Sequence, residues 1–241
     1  MGAQYASELN SQLPMVNDAT LNRYISALGQ QLAQTGTRMR TEGLRYQFFI
    51  VNSNVVNAFS VPGGYVYVNR GIIERAANVS ELAGVLAHEI AHVELRHSVD
   101  QMQQQNNANL GLTLAYVLLG RQPSGVEQAA IQVGGGLYFS RHSRQAEDEA
   151  DAAAVPMLVA AGISPNGLPT FFEKLIADQK SSPSAVEMWF ATHPLTEERI
   201  GSTRQLIAQV PAAKLRSLTT NTQAFADFKA RMRRYAAAPA Q

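Results

Sequence analysis

The segment His88-Glu89-Ile90-Ala91-His92 carries the residue types of a metal-dependent hydrolytic site. On a helix, residues four positions apart lie on one face, so His88 and His92 can bind the same cation from one side. Zinc accepts imidazole nitrogens in a tetrahedral arrangement, and a catalytic zinc keeps one position for water. Glu89 would lie beside that water as its general base. The pattern therefore predicts one zinc ion per chain and a carboxylate that activates water.

The helix that carries this segment is strongly apolar. Its apolar residues include Leu82, Val85, Leu86, Ile90 and Val93. We therefore expect the helix to be packed in the core, where polar side chains need partners. Two histidines and a glutamate on a buried helix need polar partners, and we expect a metal ion to be that partner rather than ordinary hydrogen bonds in the core.

A third metal ligand must come from elsewhere in the chain. Cysteine is absent, which excludes thiolate ligands, disulfides and a cysteine nucleophile. The remaining candidates are the other histidines and the acidic group at 147–151, namely His97, His142, His193, Glu147, Asp148, Glu149 and Asp151. Glu147 and Asp151 are four residues apart on a predicted helix, so one can bind zinc while the other orients a ligand histidine. On spacing alone, a solvated acidic face explains this group equally well.

Strand signals lie in the first third of the chain. Segments 44–51 and 55–60 are strand-like, and Pro62-Gly63-Gly64 leads into the alternating run Tyr65, Val66, Tyr67, Val68 and Asn69. The last two segments predict a hairpin. Helices are predicted at 18–35, 78–103, 108–119, 126–141, 144–161, 166–179, 196–209 and 223–236. The fold class is α+β: a mostly helical body with a small antiparallel sheet. One domain is expected over 1–241, with a core at about 5–205 and a helical extension at about 206–241.

Charge and hydropathy give no support for binding to nucleic acid or for a membrane span. The net charge is +1 and charged residues make up 16%, so nothing favours nucleic acid. The apolar run at 108–120 is shorter than the about 20 residues that a transmembrane helix needs, and no transmembrane segment is expected. The first residues show no signal-peptide pattern.

Three motifs give the chain a recognisable family pattern. HEIAH at 88–92, SRQAEDEAD at 143–151 and THPLTEERI at 192–200 resemble the HtpX-like and CAAX-prenyl-endopeptidase family of zinc metallopeptidases. The segment NAFSVPGGYVYVNRGII at 57–73 is similar to the strand region before that family's metal helix. The soluble, envelope-associated bacterial branch of BepA-like and LoiP-like proteins is the most similar. Neither the transmembrane helices of other branches nor tetratricopeptide repeats occur here, so an intramembrane chamber or docking through repeats is not expected.

The resemblance assigns roles that spacing leaves open. It implies a gluzincin with a zincin-like metal helix, in which Glu147 is the third zinc ligand and Asp151 supports the ligands. It also implies that His193, before Pro194, returns to the cleft as an oxyanion donor or as a fourth zinc ligand. Arg199 would hold His193 or Glu147.

The expected activity is endopeptidase cleavage of unfolded or misassembled envelope proteins. The resemblance implies that substrate binds as an extended strand along an exposed edge formed by Tyr65–Asn69, pairing through its backbone. Spacing alone is explained equally well by an ordinary internal hairpin strand. The resemblance places the protein in the periplasm or at the outer membrane, with association to assembly machinery as a further expectation. The alternatives are an envelope chaperone or assembly factor with latent or weak proteolysis, a degenerate protease with structural zinc, and a metal-dependent hydrolase of another bond.

Overall fold

The computed structural model describes residues 2–36, 39, 42–99 and 142–237. The predicted helices at 108–119 and 126–141, and the apolar run at 108–120, lie outside these residues. The described elements are α1 (Gly2–Gln12), α2 (Ala19–Ala33), β1 (Gln47–Val51), β2 (Ala58–Val61), β3 (Tyr65–Asn69), α3 (Arg70–Arg75), α4 (Val79–Glu94), α5 (Arg144–Ala160), α6 (Gly167–Ser181), α7 (Pro183–Thr192), α8 (Glu197–Ala208), α9 (Ala212–Arg216) and α10 (Gln223–Arg234). This combination of many helices with three strands confirms the α+β class. No helix in the described ranges has the length and apolar character needed to cross a membrane.

The three strands form one sheet in the order β1-β3-β2. β2 and β3 pair antiparallel, as the hairpin signal predicts, and the turn uses Gly63 and Gly64 at φ of 98° and 87°. β1 pairs parallel with β3, so the sheet is mixed. The predicted purely antiparallel sheet is wrong in this respect because the hairpin signal defines only the β2–β3 pair.

β3 lies in the centre of the sheet, with β1 on one side and β2 on the other. Its backbone N–H and C=O groups are therefore used by its two neighbours. The prediction that Tyr65, Val66, Tyr67, Val68 and Asn69 form an exposed substrate-binding edge is wrong for this reason. Among the described strands, the edge near the metal helix α4 belongs to β2.

The side chains of β3 point alternately into two apolar layers. Val66 and Val68 enter the main core, which lies between the sheet, α2 and α4. Tyr67 faces the opposite layer beneath α1, where its ring stacks on Phe59 with centroids 4.7 Å apart. Both faces of the sheet are thus covered, which is why alternation here does not mark a solvent-exposed face.

Helix α4 runs through the middle of the molecule. Its start is as predicted: the Asn78 side chain accepts from Glu81 N at 3.1 Å, and the Glu81 carboxylate accepts from Ala77 N at 2.7 Å. All residues from 79 to 93 are buried. The helix ends at Glu94 rather than near 103, because Arg96 adopts a left-handed conformation with φ of 62°.

The C-terminal helix α10 packs against α2 and α3. Phe225, Phe228 and Met232 belong to the main core, and the Phe228 ring stacks on Tyr24 with centroids 4.3 Å apart. The segment after residue 206 therefore shares the core of the preceding elements.

Candidate metal centre

The C-terminal half of helix α4 presents three polar side chains to the interior. His88, Glu89 and His92 have exposed fractions of 0%, 1% and 0%. The Nε2 atoms of His88 and His92 lie 3.0 Å apart. Two imidazole nitrogens that face each other at this distance in the core need a shared proton or a cation between them.

A carboxylate from α5 completes this arrangement. Ser143 begins α5 by accepting from Ala146 N at 3.1 Å, which places Glu147 in the first turn facing α4. Its Oε2 lies 3.5 Å from His88 Nε2, and its Oε1 lies 3.3 Å from His92 Nε2. Of the acidic residues at 147–149, only Glu147 is buried.

These distances fit a tetrahedral zinc ion. Zinc–ligand bonds of about 2.0–2.1 Å place neighbouring ligand atoms about 3.3 Å apart. The three separations between His88 Nε2, His92 Nε2 and the Glu147 oxygens are 3.0, 3.5 and 3.3 Å. Two neutral imidazoles and one carboxylate are also the donor types of a catalytic zinc. The residues present therefore fit the metal.

His193 lies at the same cluster. It is the C-terminal cap of α7, and its backbone N donates to Trp189 O at 2.7 Å. His193 Nδ1 lies 3.2 Å from Glu147 Oε1, and Nε2 lies 3.5 Å from Glu89 Oε1. One donor atom from each of His88, His92, Glu147 and His193 lies within 4.8 Å of the others, and all four residues are buried.

Arg199 and Asp151 support the cluster from behind. The Arg199 guanidinium donates to both Asp151 oxygens, at 2.7 and 3.0 Å, and also to Glu147 Oε2. It further donates to the Pro194 carbonyl at 2.8 Å, which fixes the backbone next to His193. Asp151 Oδ1 lies 2.8 Å from His88 Nδ1. One buried cation thus ties together two carboxylates and the His-Pro turn.

The surroundings also set the charge of these groups. Burial lowers the pKa of His88, but hydrogen bonds to Asp151 and Glu147 outweigh it and raise that pKa to about 9. For Glu147, burial raises the pKa, but the neighbouring imidazoles, led by His193, hold it well below its ordinary value. Burial lowers the pKa of His92 and raises that of Glu89. Glu147 thus stays anionic, as a zinc ligand must, while Glu89 is a more basic carboxylate.

All five histidines of the chain lie in this cluster. Each ring centroid lies 5.4 Å or less from that of another histidine. His142 stacks on His92 with centroids 4.1 Å apart, and its backbone N donates to Thr192 O at 3.1 Å. Sequence reasoning treated His97 and His142 only as spare ligands, because no spacing rule relates them to the metal helix.

Sequence reasoning also missed the part played by β2. Asn69 N donates to Asn57 O at 3.0 Å, so residues 57, 59 and 61 pair with β3, while Ala58 and Ser60 direct their backbone groups away from it. The Ala58 carbonyl lies 3.4 Å from His193 Nε2. The edge that runs beside the metal centre is therefore β2.

A buried helix with His-Glu-x-x-His is typical of a zinc metallopeptidase, and here a glutamate from a later helix lies beside the two histidines. The comparisons agree with this class. The model of peptidase family M48 matches residues 19–207, so the chain belongs to that family, whose members depend on zinc. Two similar proteins are the beta-barrel assembly-enhancing protease of Escherichia coli strain K12, 34% identical over 218 residues, and the metalloprotease LoiP of the same strain, 30% identical over 165 residues.

A third relative is the mitochondrial metalloendopeptidase OMA1 of Schizosaccharomyces pombe, 29% identical over 210 residues. These matches cover 87%, 68% and 87% of this chain and 44%, 63% and 58% of the respective relatives. The chain thus spans less than half the length of the assembly-enhancing protease that it matches.

Proposed function

We propose that the protein is an endopeptidase that cleaves peptide bonds with one zinc ion held by His88, His92 and Glu147. The observation that carries this proposal is the convergence of these three buried donors at separations near a tetrahedral edge, with Glu89 beside them. Membership of a family of zinc-dependent peptidases supports it. A purely structural zinc site would have no use for a basic carboxylate next to the metal.

Bound zinc would polarise the scissile carbonyl and lower the pKa of its water towards about 7. The protein must then supply a proton acceptor. Glu89 suits this role because burial raises its pKa. Among the described residues, none donates a hydrogen bond to its Oε1, which leaves that oxygen open to accept the proton of the attacking water. Glu89 can then deliver this proton to the leaving amine.

For His193, this conformation supports the role of fourth ligand better than that of oxyanion donor. Its Nδ1 lies 3.2 Å from Glu147 Oε1, a separation similar to those among the other donors. A ring that served as fourth ligand would occupy the coordination position that a substrate carbonyl needs. His193 must therefore turn away before substrate binds.

Replacing His193 with alanine separates the two roles. As a fourth ligand that blocks the site, His193 should hold activity back, so His193→Ala should raise kcat/KM for an unfolded substrate such as casein and weaken zinc binding. As an oxyanion donor, its loss should lower kcat about 10²–10³-fold. Steady-state kinetics with saturating zinc distinguish these outcomes, and a fall of that size would overturn the ligand role.

The position of β2 supports an extended substrate. The backbone groups of Ala58 and Ser60 point away from β3, where the Ala58 carbonyl lies 3.4 Å from His193 Nε2 and the Ser60 carbonyl accepts from Ser98 Oγ at 3.5 Å. A peptide that replaced these two contacts and paired with β2 would pass the zinc ligands. Pairing through the backbone depends little on the side chains of the substrate. We therefore expect the enzyme to cleave unfolded or misassembled chains rather than one defined sequence. The assignment of substrate binding thus moves from Tyr65–Asn69 to the neighbouring strand.

The cell envelope is the setting that the relatives support. One group of them is named for enhancing beta-barrel assembly. We therefore place this protein in the periplasm or at the outer membrane, where it would act on misassembled proteins. Association with the assembly machinery is part of the same proposal.

Metal analysis with a proteolysis assay tests the proposed function. The purified protein should contain about one zinc ion per chain, and a chelator should stop casein cleavage until zinc is restored. His88→Ala should lose the metal and the activity together, since it removes one of the two imidazoles that α4 supplies. A protein that contains no zinc and cleaves casein equally well with chelator present would contradict the proposal.

A further inference from the structure

The two ligand histidines of α4 are supported in different ways. Each points its Nε2 into the donor cluster, which leaves Nδ1 to be held from behind. For His88, the partner of Nδ1 is the carboxylate of Asp151, at 2.8 Å. For His92, the partner is another imidazole: His97 Nδ1 lies 2.8 Å from His92 Nδ1.

The hydrogen bonds of this second pair fit one arrangement of protons. If His92 binds the metal through Nε2, its proton is on Nδ1, which then donates to His97 Nδ1. His97 must accept at that atom, so its own proton is on Nε2. His97 Nε2 lies 3.2 Å from Glu149 Oε2, which accepts it. Glu149 Oε1 in turn accepts from Gln145 Nε2 at 2.8 Å.

The backbone is shaped to bring His97 to this place. On a continuous helix, a residue five positions after His92 would lie about 140° around the axis from it. Instead, α4 ends at Glu94, and Arg96 adopts a φ of 62°, the only positive φ among the described non-glycine residues. This turn folds His97 back beneath His92. An unfavourable backbone conformation is retained where the surrounding structure uses it.

From this geometry we propose that His97 is a positioning residue for the zinc ligand His92, and that Glu149 fixes the tautomer of His97. The proposal rests on the proposed function, since it takes His92 as a ligand. His97 is 8% exposed, whereas the Glu149 side chain is 47% exposed. The chain of contacts therefore begins at the buried metal ligand and ends at a carboxylate in solvent. Partners of this kind orient a ligand imidazole and increase its basicity.

Two substitutions separate positioning from packing. His97→Phe fills a similar volume but cannot accept from His92, whereas His97→Asn keeps an oxygen near the position of Nδ1. We expect His97→Phe to raise the Kd for zinc about 10–100-fold, measured by competition with a chromophoric chelator. His97→Asn should recover most of this loss. The visible spectrum of the Co²⁺-substituted protein should change in His97→Phe, because the ligand imidazole is free to reorient.

Glu149 provides a test that does not disturb the core. Glu149→Gln keeps an acceptor but removes the charge, and we expect a smaller rise in the zinc Kd, of about 3–10-fold. Glu187→Gln, a change at another exposed glutamate, is the matched control and should bind zinc like the wild type.

The outcomes are distinguishable from failure of the proposed function. If the wild-type protein binds no zinc, the proposed function itself is wrong. If the wild type binds zinc and both His97→Phe and Glu149→Gln bind it equally tightly, only the positioning role is overturned. A lower Tm of metal-free His97→Phe with unchanged zinc affinity would show that His97 serves packing alone. If His97→Phe does not fold, His97→Asn and Glu149→Gln still decide the question.

Discussion

Replacing Glu89 with glutamine should lower kcat for casein cleavage by about 10²–10⁴-fold while zinc content stays at the wild-type level. The amide keeps the shape of the side chain but cannot take a proton from the attacking water. Glu89 lies in the core beside the metal ligands, 3.5 Å from His193 Nε2, but it is not one of the three proposed ligands. The loss should therefore appear in turnover and not in metal binding.

Two control measurements test whether lost stability or an unspecific effect of substitution could explain this result. The Tm of Glu89→Gln should not fall, because burial disfavours the charged form of this carboxyl and a neutral amide removes that cost. Glu187→Gln, an exposed substitution of the same type, should cleave casein at the wild-type rate. Casein cleavage by Glu89→Gln at the wild-type rate would remove Glu89 from the mechanism.

The histidine pair on helix α4 could be predicted from the sequence because it depends on local periodicity. Residues 88 and 92 lie one turn apart on any helix, and the apolar residues around them indicate a buried one. Glu147 and Asp151 follow the same rule on α5, but only the resemblance ranked Glu147 first. The structure brings Glu147 within 3.5 Å of both His88 and His92, a contact between distant segments that spacing alone cannot supply.

The features that sequence reasoning missed are those that depend on non-local pairing or on an unusual backbone conformation. Nothing in segment 44–51 indicates that β1 joins the far side of β3, so the sequence does not contradict the edge strand that the resemblance implies at β3. The end of α4 at Glu94, just before the left-handed Arg96, could not be predicted for a different reason. Arginine is not a residue that favours a left-handed turn, so the sequence pattern continues as if the helix did not stop.

Replacing Arg199 with methionine should lower the free energy of unfolding of the metal-free protein by about 3–5 kcal/mol. The Arg199 side chain is 4% exposed and pairs with Glu147 and Asp151, whose side chains are 0% and 3% exposed. Removing the guanidinium leaves two carboxylates in the core without their shared cation. Urea unfolding with a chelator present measures this effect.

A matched control lies on the same helix. Arg204 pairs with Glu173 through side chains that are each 48% exposed, so Arg204→Met should change stability by about 0–1 kcal/mol. Arg199→Lys should lie between the two, since lysine keeps the charge but cannot donate to two carboxylates and the Pro194 carbonyl at once. A loss below about 1 kcal/mol for Arg199→Met would contradict the assigned role of this ion pair.

Zinc loading and a substitution at Asp151 test whether Arg199 stabilises the protein through its charge or through its packing. Bound zinc would neutralise part of the charge on Glu147, so the destabilisation by Arg199→Met should be smaller in the zinc-loaded protein than in the metal-free one. Asp151→Asn removes one of the uncompensated charges, so adding it to Arg199→Met should restore part of the lost stability, although alone it destabilises. Such non-additivity in a double-mutant cycle isolates the charge pairing from packing. If the two losses simply add, packing of Arg199 over the Phe172 ring, at 4.9 Å, would account for its effect instead.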